Sequence, residues 1–417
     1  MQNIALLFSG QGTQYQGMAK ELYCSSSVVK ETFEEASDAI NLDLCKLCFE
    51  DSLQNLSQTQ NTQPALVTVG VAYFRDYIKK IGIEPKYLAG HSIGELTALA
   101  CSGAIEFKDA VKIARKRGIF MQEAVPLGMG SMLAITGLDK DEVEEMCIKL
   151  SNDSGIVSIS NLNSKEQIVV SGNKDKVNEL KERVDLLGAK TILLKVSGPF
   201  HSKLMKKASY NLEEELKKYK FNDFKYKVCT NLSSLPYKNK DEIVHNLSMQ
   251  MINPVQWERT IAYLRRQGID MTVELGPGKV LRNLSKRNIP EIESYSYDIT
   301  EDRDKLKKEL VTNKKSKDFF SKCLAVCVSS KNSNWNNEEY EIGVVENYNK
   351  IKNIESDVKE NNRNKEDSMK EVLDLVYSIL VTKKVEVKEQ INKIQDIITE
   401  TNTEEIFSDF IPTKYNV

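Results

Sequence analysis

The chain has 417 residues, enough for two or three domains at roughly 150 residues each, and 41% of them are hydrophobic, so a sizeable core can be buried. Lys plus Arg (58) nearly balances Asp plus Glu (60), and the net charge of −2 gives no broad field for nucleic acid or an anionic membrane, so local groups must hold any anionic ligand. The start MQNIALLFSG carries no basic leader, and no later segment nears the roughly 18 uninterrupted apolar residues of a membrane span, which predicts a soluble cytoplasmic protein.

Ile4 to Phe8 is expected to be a buried strand, followed by the glycine-punctuated loop Ser9-Gly10-Gln11-Gly12-Thr13-Gln14. That loop matches neither a dinucleotide-binding fingerprint nor a P-loop, which argues against a nucleotide site. It is either a plain strand-helix turn or a place where the Gln11 backbone N–H faces an oxyanion. Helical periodicity covers Val28 to Ile40 and Gln63 to Ile81, with Pro64 placed near the start of the second helix, where a missing N–H costs least. Eight scattered cysteines read as reduced thiols. Cys45 and Cys48 have the spacing of half a zinc or redox site, but nothing nearby completes it, so they are expected to be half-buried helix cysteines.

Tyr87-Leu88-Ala89 ends in Gly90-His91-Ser92-Ile93-Gly94-Glu95, and Leu96 to Cys101 reads as the opening of a buried helix. Gly-x-Ser-x-Gly between strand and helix is the pattern of a nucleophile elbow. Its glycines allow a turn sharp enough to expose the Ser92 hydroxyl, and the N–H groups opening the helix favour negative charge at the same spot. Such a serine suits acyl chemistry. The pentapeptide also occurs by chance in tight turns, and it is the strand-turn-helix setting that raises its weight. Phe107 to Gln122 is a further helix containing Arg115, Lys116 and Arg117, where position alone gives Arg117 no special role.

From Ser131 to Ser197 the rhythm becomes βαββαβ: Met132–Thr136, helix Lys140–Leu150, Val157–Ser160, Gln167–Val170, helix Lys174–Leu187 and Thr191–Val196. This predicts an inserted ferredoxin-like unit. Ser197-Gly198-Pro199-Phe200-His201-Ser202 follows it. The chain has three histidines, His91, His201 and His245; a seryl nucleophile needs a base, and His91, adjacent in the turn, would point away from Ser92. His201 is therefore the candidate base. Lys227–Thr230, a helix near Ile243–Met251, the turn Asn253-Pro254-Val255, a helix Trp257–Gln267 and a last buried strand Thr272–Leu275 complete the core.

Beyond Gly278 the composition shifts: Gly343 is the one further glycine of 20, and no proline occurs between Pro290 and Pro412. Lys350 to Lys370 reads as a charged linker. Met369, Val372, Leu373, Val376, Ile379 and Leu380, then Ile391, Ile394, Ile397 and Ile398, follow helical spacing, leaving open whether these faces pack on the body, on a partner or on a second copy.

LFSGQGTQYQGM, GHSIGE, Arg117, SGPFHS, Gln250 and Asn253-Pro254-Val255-Gln256-Trp257 together resemble the malonyl-CoA:acyl carrier protein transacylases, over about residues 1 to 290. The opening and the extension through Lys352 look most like free-standing acyltransferases that serve polyketide synthases lacking their own. The resemblance implies an α/β-hydrolase-like core with a parallel sheet and nucleophile elbow (1–127 and 198–300), the ferredoxin-like subdomain (128–197) and a family-type C-terminal extension (301–353), while composition and spacing give a charged linker with an amphipathic helical tail (354–417). It implies that Ser92 carries the acyl group, that His201 is the base, supported by the main-chain carbonyl of Gln250, and that the N–H groups of Gln11 and Ile93 form the oxyanion hole. Arg117 would bind the malonyl carboxylate, with Gln63, Met121 and Phe200 beside the acyl group, Phe200 suiting a small unbranched one. No cofactor or metal is expected. Malonyl-CoA is the expected substrate, in fatty acid or polyketide synthesis, and a carrier protein or the carrier domains of a polyketide synthase are the expected partners of a monomer.

Three rivals share parts of this pattern. An α/β-hydrolase-type esterase predicts an acidic residue between the serine and a late histidine, where an arginine and an inserted unit stand instead. An acyl hydrolase that clears carriers would be favoured by loss of Arg117. A non-catalytic docking module would not need Ser92, His201 and Arg117 together.

Overall fold

Ile4–Phe8 (β1) is buried along its whole length, as a central parallel strand covered on both faces requires. In the computed structural model, which describes residues 3–126, 128–194, 196, 198–360, 362–401, 403–404 and 406–407, the chain divides into two compact units, Met1–Asp304 and Lys305–Val417.

The first unit holds two sheets. Tyr87–Gly90 (β2), Gly130–Thr136 (β3), Val157–Ser164 (β4), Gln167–Asn173 (β5), Lys190–Leu193 (β6), Lys227–Cys229 (β7), Met271–Leu275 (β8) and Glu293–Ser296 (β9) follow β1 along the chain. The larger sheet has the order β7-β2-β1-β8-β9 and every pairing in it is parallel. Strand order reverses at β1, since β2 lies on one side and β8 on the other, and the crevice at the carboxyl ends of such strands is where ligands are received. Phe8 is paired with Gly90 in register, so the loop after β1 and the turn after β2 leave the sheet side by side. This brings Gln11 toward Ser92.

The smaller sheet has the order β4-β5-β3-β6, all antiparallel, with helices Lys140–Leu150 and Lys174–Leu186 between its strands. It is tied to the larger part where Leu162 N–H donates to the Val255 carbonyl at 2.9 Å and Val255 N–H to the Ser160 carbonyl at 2.9 Å.

Three sequence expectations change. The helix expected from Gln63 spans Thr59–Lys80, so Pro64 lies inside it. Pro64 has no N–H to give the Gln60 carbonyl, and the Arg115 guanidinium donates to that carbonyl instead at 2.7 Å. Thr272–Leu275 is not the last strand, because the edge strand β9, polar in sequence, pairs with β8. Lys350–Lys370 is not a linker: helices Asn347–Lys359 and Lys365–Thr382 occupy it. Ile351, Ile354 and Val358 recur at helical spacing and are buried, a signal hidden among the surrounding charges.

The helices of the second unit bury their apolar faces in a core of its own, which includes Phe319, Phe320, Cys323, Ile351, Val376, Ile379, Ile394 and Phe407. The boundary expected at 353/354 thus falls within helix Asn347–Lys359 of this single unit. No helix among the described residues is long and apolar enough to cross a membrane. Ser197 of the second motif and Lys195 of the expected strand Thr191–Val196 lie outside the described residues, as does Leu127, at the first expected domain border.

Candidate active site

Two close approaches explain the elbow glycines. A Cβ on Gly90 would lie 1.9 Å from the Gly94 carbonyl carbon, and one on Gly94 would lie 2.1 Å from the Phe8 carbonyl oxygen. Only glycine lets the helix Ile93–Cys101 start so tightly against β1 and β2. Ser92, between them, has φ 54° and ψ −112°, a strained backbone for a residue with a Cβ. The turn also leaves Ile93 N–H at the first helical position, where no intrahelical acceptor exists.

Ser92 Oγ lies 2.7 Å from His201 Nε2, although the two residues are 109 positions apart. His201 Nδ1 is 2.8 Å from the Gln250 carbonyl oxygen. A carbonyl can only accept, so Nδ1 carries the proton and Nε2 is left free to accept from the serine hydroxyl. Burial, together with the nearby Arg117 charge, lowers the His201 pKa from 6.5 to about 3, so the imidazole stays neutral through the physiological range. His201 also has a positive φ of 57°, in the left-handed region that a residue with a Cβ seldom adopts.

Arg117 is 2% exposed. Its Nη2 donates to Gln250 Oε1 at 2.8 Å and reaches Ser92 Oγ at 3.2 Å, whereas Nη1 is buried with no hydrogen-bond partner. Burial lowers its pKa to about 10, opposed by the charge of Glu95, so it remains a cation near neutral pH. Gln63 Nε2 lies 3.1 Å from the Met121 sulfur, and Gln63 Oε1 is likewise buried without a partner. Two buried polar atoms without partners, one donor and one acceptor, thus belong to residues that line one cavity of about 160 Å³. Ser92, His201, Arg117, Gln11, Ile93, Gln63, Met121 and Phe200 all line it, and Gln250 stands behind His201 and Arg117. All nine candidate residues are therefore gathered at one place.

The sequence reading missed the groups that hold this arrangement. Asn231 Oδ1 accepts the Ser92 N–H at 2.7 Å, and Asn231 Nδ2 donates to the Gly90 carbonyl at 2.7 Å, bracing the strained turn on both sides. Glu95, 1% exposed, accepts from the Asn231 N–H at 3.0 Å, from Gln250 Nε2 at 2.6 Å and from the Tyr237 hydroxyl. Its burial raises its carboxyl pKa, and these three donors oppose the shift. The signal for Glu95 was present, since a carboxylate interrupts an otherwise apolar helix start. Asn231, in a polar turn after β7, gave none.

His91 does point away from the serine: its Nε2 is 2.9 Å from Asn163 Oδ1, and its ring lies 5.5 Å from that of Trp257. Burial lowers its pKa as well, so it braces the turn as a neutral ring. His245 lies in helix Glu242–Gln250 and does not line the cavity. Cys48 is buried with a raised thiol pKa, and among the described residues no cluster of candidate ligands could hold a metal.

The acyl transferase domain family matches residues 5–319. A malonyl CoA-acyl carrier protein transacylase of Bacillus subtilis strain 168 is 42% identical over 288 residues, 69% of this chain and 90% of that protein. One from Staphylococcus aureus MRSA252 is 39% identical over 303 residues, covering 72% and 97%. Among solved structures, the malonyl CoA-acyl carrier protein transacylase of Coxiella burnetii superposes with a TM-score of 0.72 at 39% identity, covering 74% of this chain and 98% of that one. A malonyl-transacylase in complex with a holo acyl-carrier protein of a type II polyketide synthase superposes with a TM-score of 0.70 at 37% identity, covering 72% and 97%.

Proposed function

The chain belongs to the malonyl-CoA:acyl carrier protein transacylases of the acyl transferase domain family, and from that membership we propose how its residues carry the transfer. It is an acyltransferase that moves a malonyl group from coenzyme A to the phosphopantetheine thiol of an acyl carrier protein. His201 Nε2 takes the Ser92 proton as Oγ attacks the malonyl thioester carbon. The C–S bond breaks, the proton passes to the departing thiolate, and the malonyl group remains as a Ser92 ester. The carrier thiol then gives its proton to His201, attacks the ester and regenerates the Ser92 hydroxyl.

Charge develops on the thioester oxygen in both halves. The N–H groups of Gln11 and Ile93, on the neighbouring loops after β1 and β2, are the donors assigned to it. Gln250 fixes the His201 tautomer through its carbonyl, a neutral group in the place an acid takes in many triads. The free Nη1 of Arg117 is the group assigned to the malonyl carboxylate, which it meets with charge-assisted N–H donors. An acetyl group would leave that buried cation unpaired. Gln63, Met121 and Phe200 wall the acyl end, leaving room for a small chain. The four-stranded sheet with its two helices is read as the ferredoxin-like unit inserted between 1–127 and 198–300 of an α/β-hydrolase-like core, and the partner as a carrier protein serving either fatty acid or polyketide synthesis.

The observation that carries this reading is that the Ser92–His201 pair and Arg117, which keeps one nitrogen unpaired, line the same cavity. The esterase and hydrolase alternatives need water as acceptor. Supplying malonyl-CoA with a holo carrier protein and weighing the carrier separates them: gain of a malonyl group on the carrier thiol is expected, and free malonate with an unchanged carrier would replace the transferase with a hydrolase.

A further inference from the structure

Arg117, Gln250 and Glu95 form a relay. Arg117 Nη2 donates to Gln250 Oε1 at 2.8 Å, and Gln250 Nε2 donates to Glu95 Oε2 at 2.6 Å, so one amide stands between a buried guanidinium and a buried carboxylate. The amide cannot be reversed, because its N–H must face the acceptor Glu95 and its oxygen the donor Arg117. The groups hydrogen-bonded to Arg117, Gln250 Oε1 and Ser92 Oγ, are neutral, which leaves Glu95 as the buried anion nearest in the network. Each charge also moves the other's protonation toward the ionised form.

Resting on the reading of Arg117 as the carboxylate-binding group, we propose that Glu95 is an internal counter-ion that competes with the substrate carboxylate and so limits how tightly a malonyl group is held. With the pocket empty, Glu95 makes an unpaired Arg117 tolerable. When a malonyl carboxylate arrives at Nη1, two anions share one cation across a few residues of low-polarity surroundings, and their repulsion weakens the grip. A transferase needs such a limit, since the group it accepts must also leave. The Glu95 carboxylate has no hydrogen bond to Ser92, whose carbonyl accepts only the Glu95 backbone N–H at 3.0 Å, and Glu95 does not line the cavity, so it is a positioning residue.

Glu95→Gln tests this, because the substitution removes the charge and little else. The carbonyl of the introduced amide can still accept from Gln250 and Asn231, and its NH2 group can donate to the Tyr237 oxygen. The expected result is a malonyl-CoA KM at least about threefold lower relative to the acetyl-CoA KM, with no gain in malonyl kcat. A KM ratio that stays put, or one that moves against malonyl, overturns the inference. Tyr237→Phe removes a donor that favours the ionised carboxylate, so a larger fraction of Glu95 is protonated and neutral, and it should shift the ratio in the same direction by less; if Glu95→Gln does not fold, an unchanged or opposite ratio in Tyr237→Phe overturns it. Arg117→Ala, measured alongside, separates the two levels. If it leaves the malonyl-to-acetyl preference intact, the carboxylate reading itself fails; if it collapses the preference while Glu95→Gln leaves the KM ratio unchanged, only the counter-ion role is lost.

Discussion

The two units of this chain bury different things. In Met1–Asp304 the buried set includes Arg117, Glu95, His201, Gln250 and Asn231, joined by hydrogen bonds that cross up to 155 positions of sequence. In Lys305–Val417 it is a run of aliphatic and aromatic side chains at helical spacing, and the buried Lys383 spends its charge capping the carbonyls of Cys327 and Ser330. Buried charge costs stability unless it is paired. A unit that keeps an unpaired guanidinium nitrogen has a donor left over for the ligand proposed above, whereas a unit that caps a buried lysine on carbonyls has settled its charge structurally.

That contrast can be broken or sharpened by mutation. Removing the base with His201→Ala should lower malonyl transfer by about 10²- to 10⁴-fold in kcat, read as malonyl-carrier formed per unit time. Arg117→Ala should cost malonyl transfer about 2–5 kcal/mol relative to acetyl, measured as the ratio of kcat/KM values; equal losses for both acyl groups would take the arginine out of the carboxylate's reach. The pH response is the next largest effect. Because the folded pKa of His201 is depressed, its neutral, base-competent form persists below 6.5, and acylation should stay level as pH falls through 6.5, declining only toward 3. The same shift means that the unfolded chain binds the extra proton in that window, so this histidine erodes stability as pH drops from 6.5 toward 3. A titration of acylation centred at 6.5 would place His201 in water.

In the second unit the expected effects fall on folding alone. Ile379→Ala should destabilise the helical unit by about 2–5 kcal/mol by chemical denaturation, with malonyl transfer to a free carrier unchanged. A parallel fall in transfer would join that core to the chemistry.

Much of the site was legible because its chemistry is written in short stretches. GHSIGE encodes a turn only glycine permits, and the position of His201 followed from the need for a base and the geometry that disqualifies His91. Arg117 and Gln250 entered through resemblance, since a helix arginine or a helix-end glutamine has no local mark. Asn231 and Tyr237 were missed for the same reason: they act on Glu95 and the elbow from more than 130 positions away, and only the folded chain brings them there. The elements that escaped are β9, which buries Ser294 and Ser296 and so shows no apolar alternation, and within the expected linker the helix Asn347–Lys359 and the first turn of Lys365–Thr382, where charges surround the few apolar residues. In both helices composition outweighed periodicity.

The most direct test is the intact mass of the enzyme after brief exposure to malonyl-CoA, followed by mapping of the modified peptide. One malonyl group on Ser92, lost when a holo carrier protein is added and absent from Ser92→Ala, is the predicted result. No adduct, or an adduct on another residue that persists in Ser92→Ala, would contradict the account at its centre.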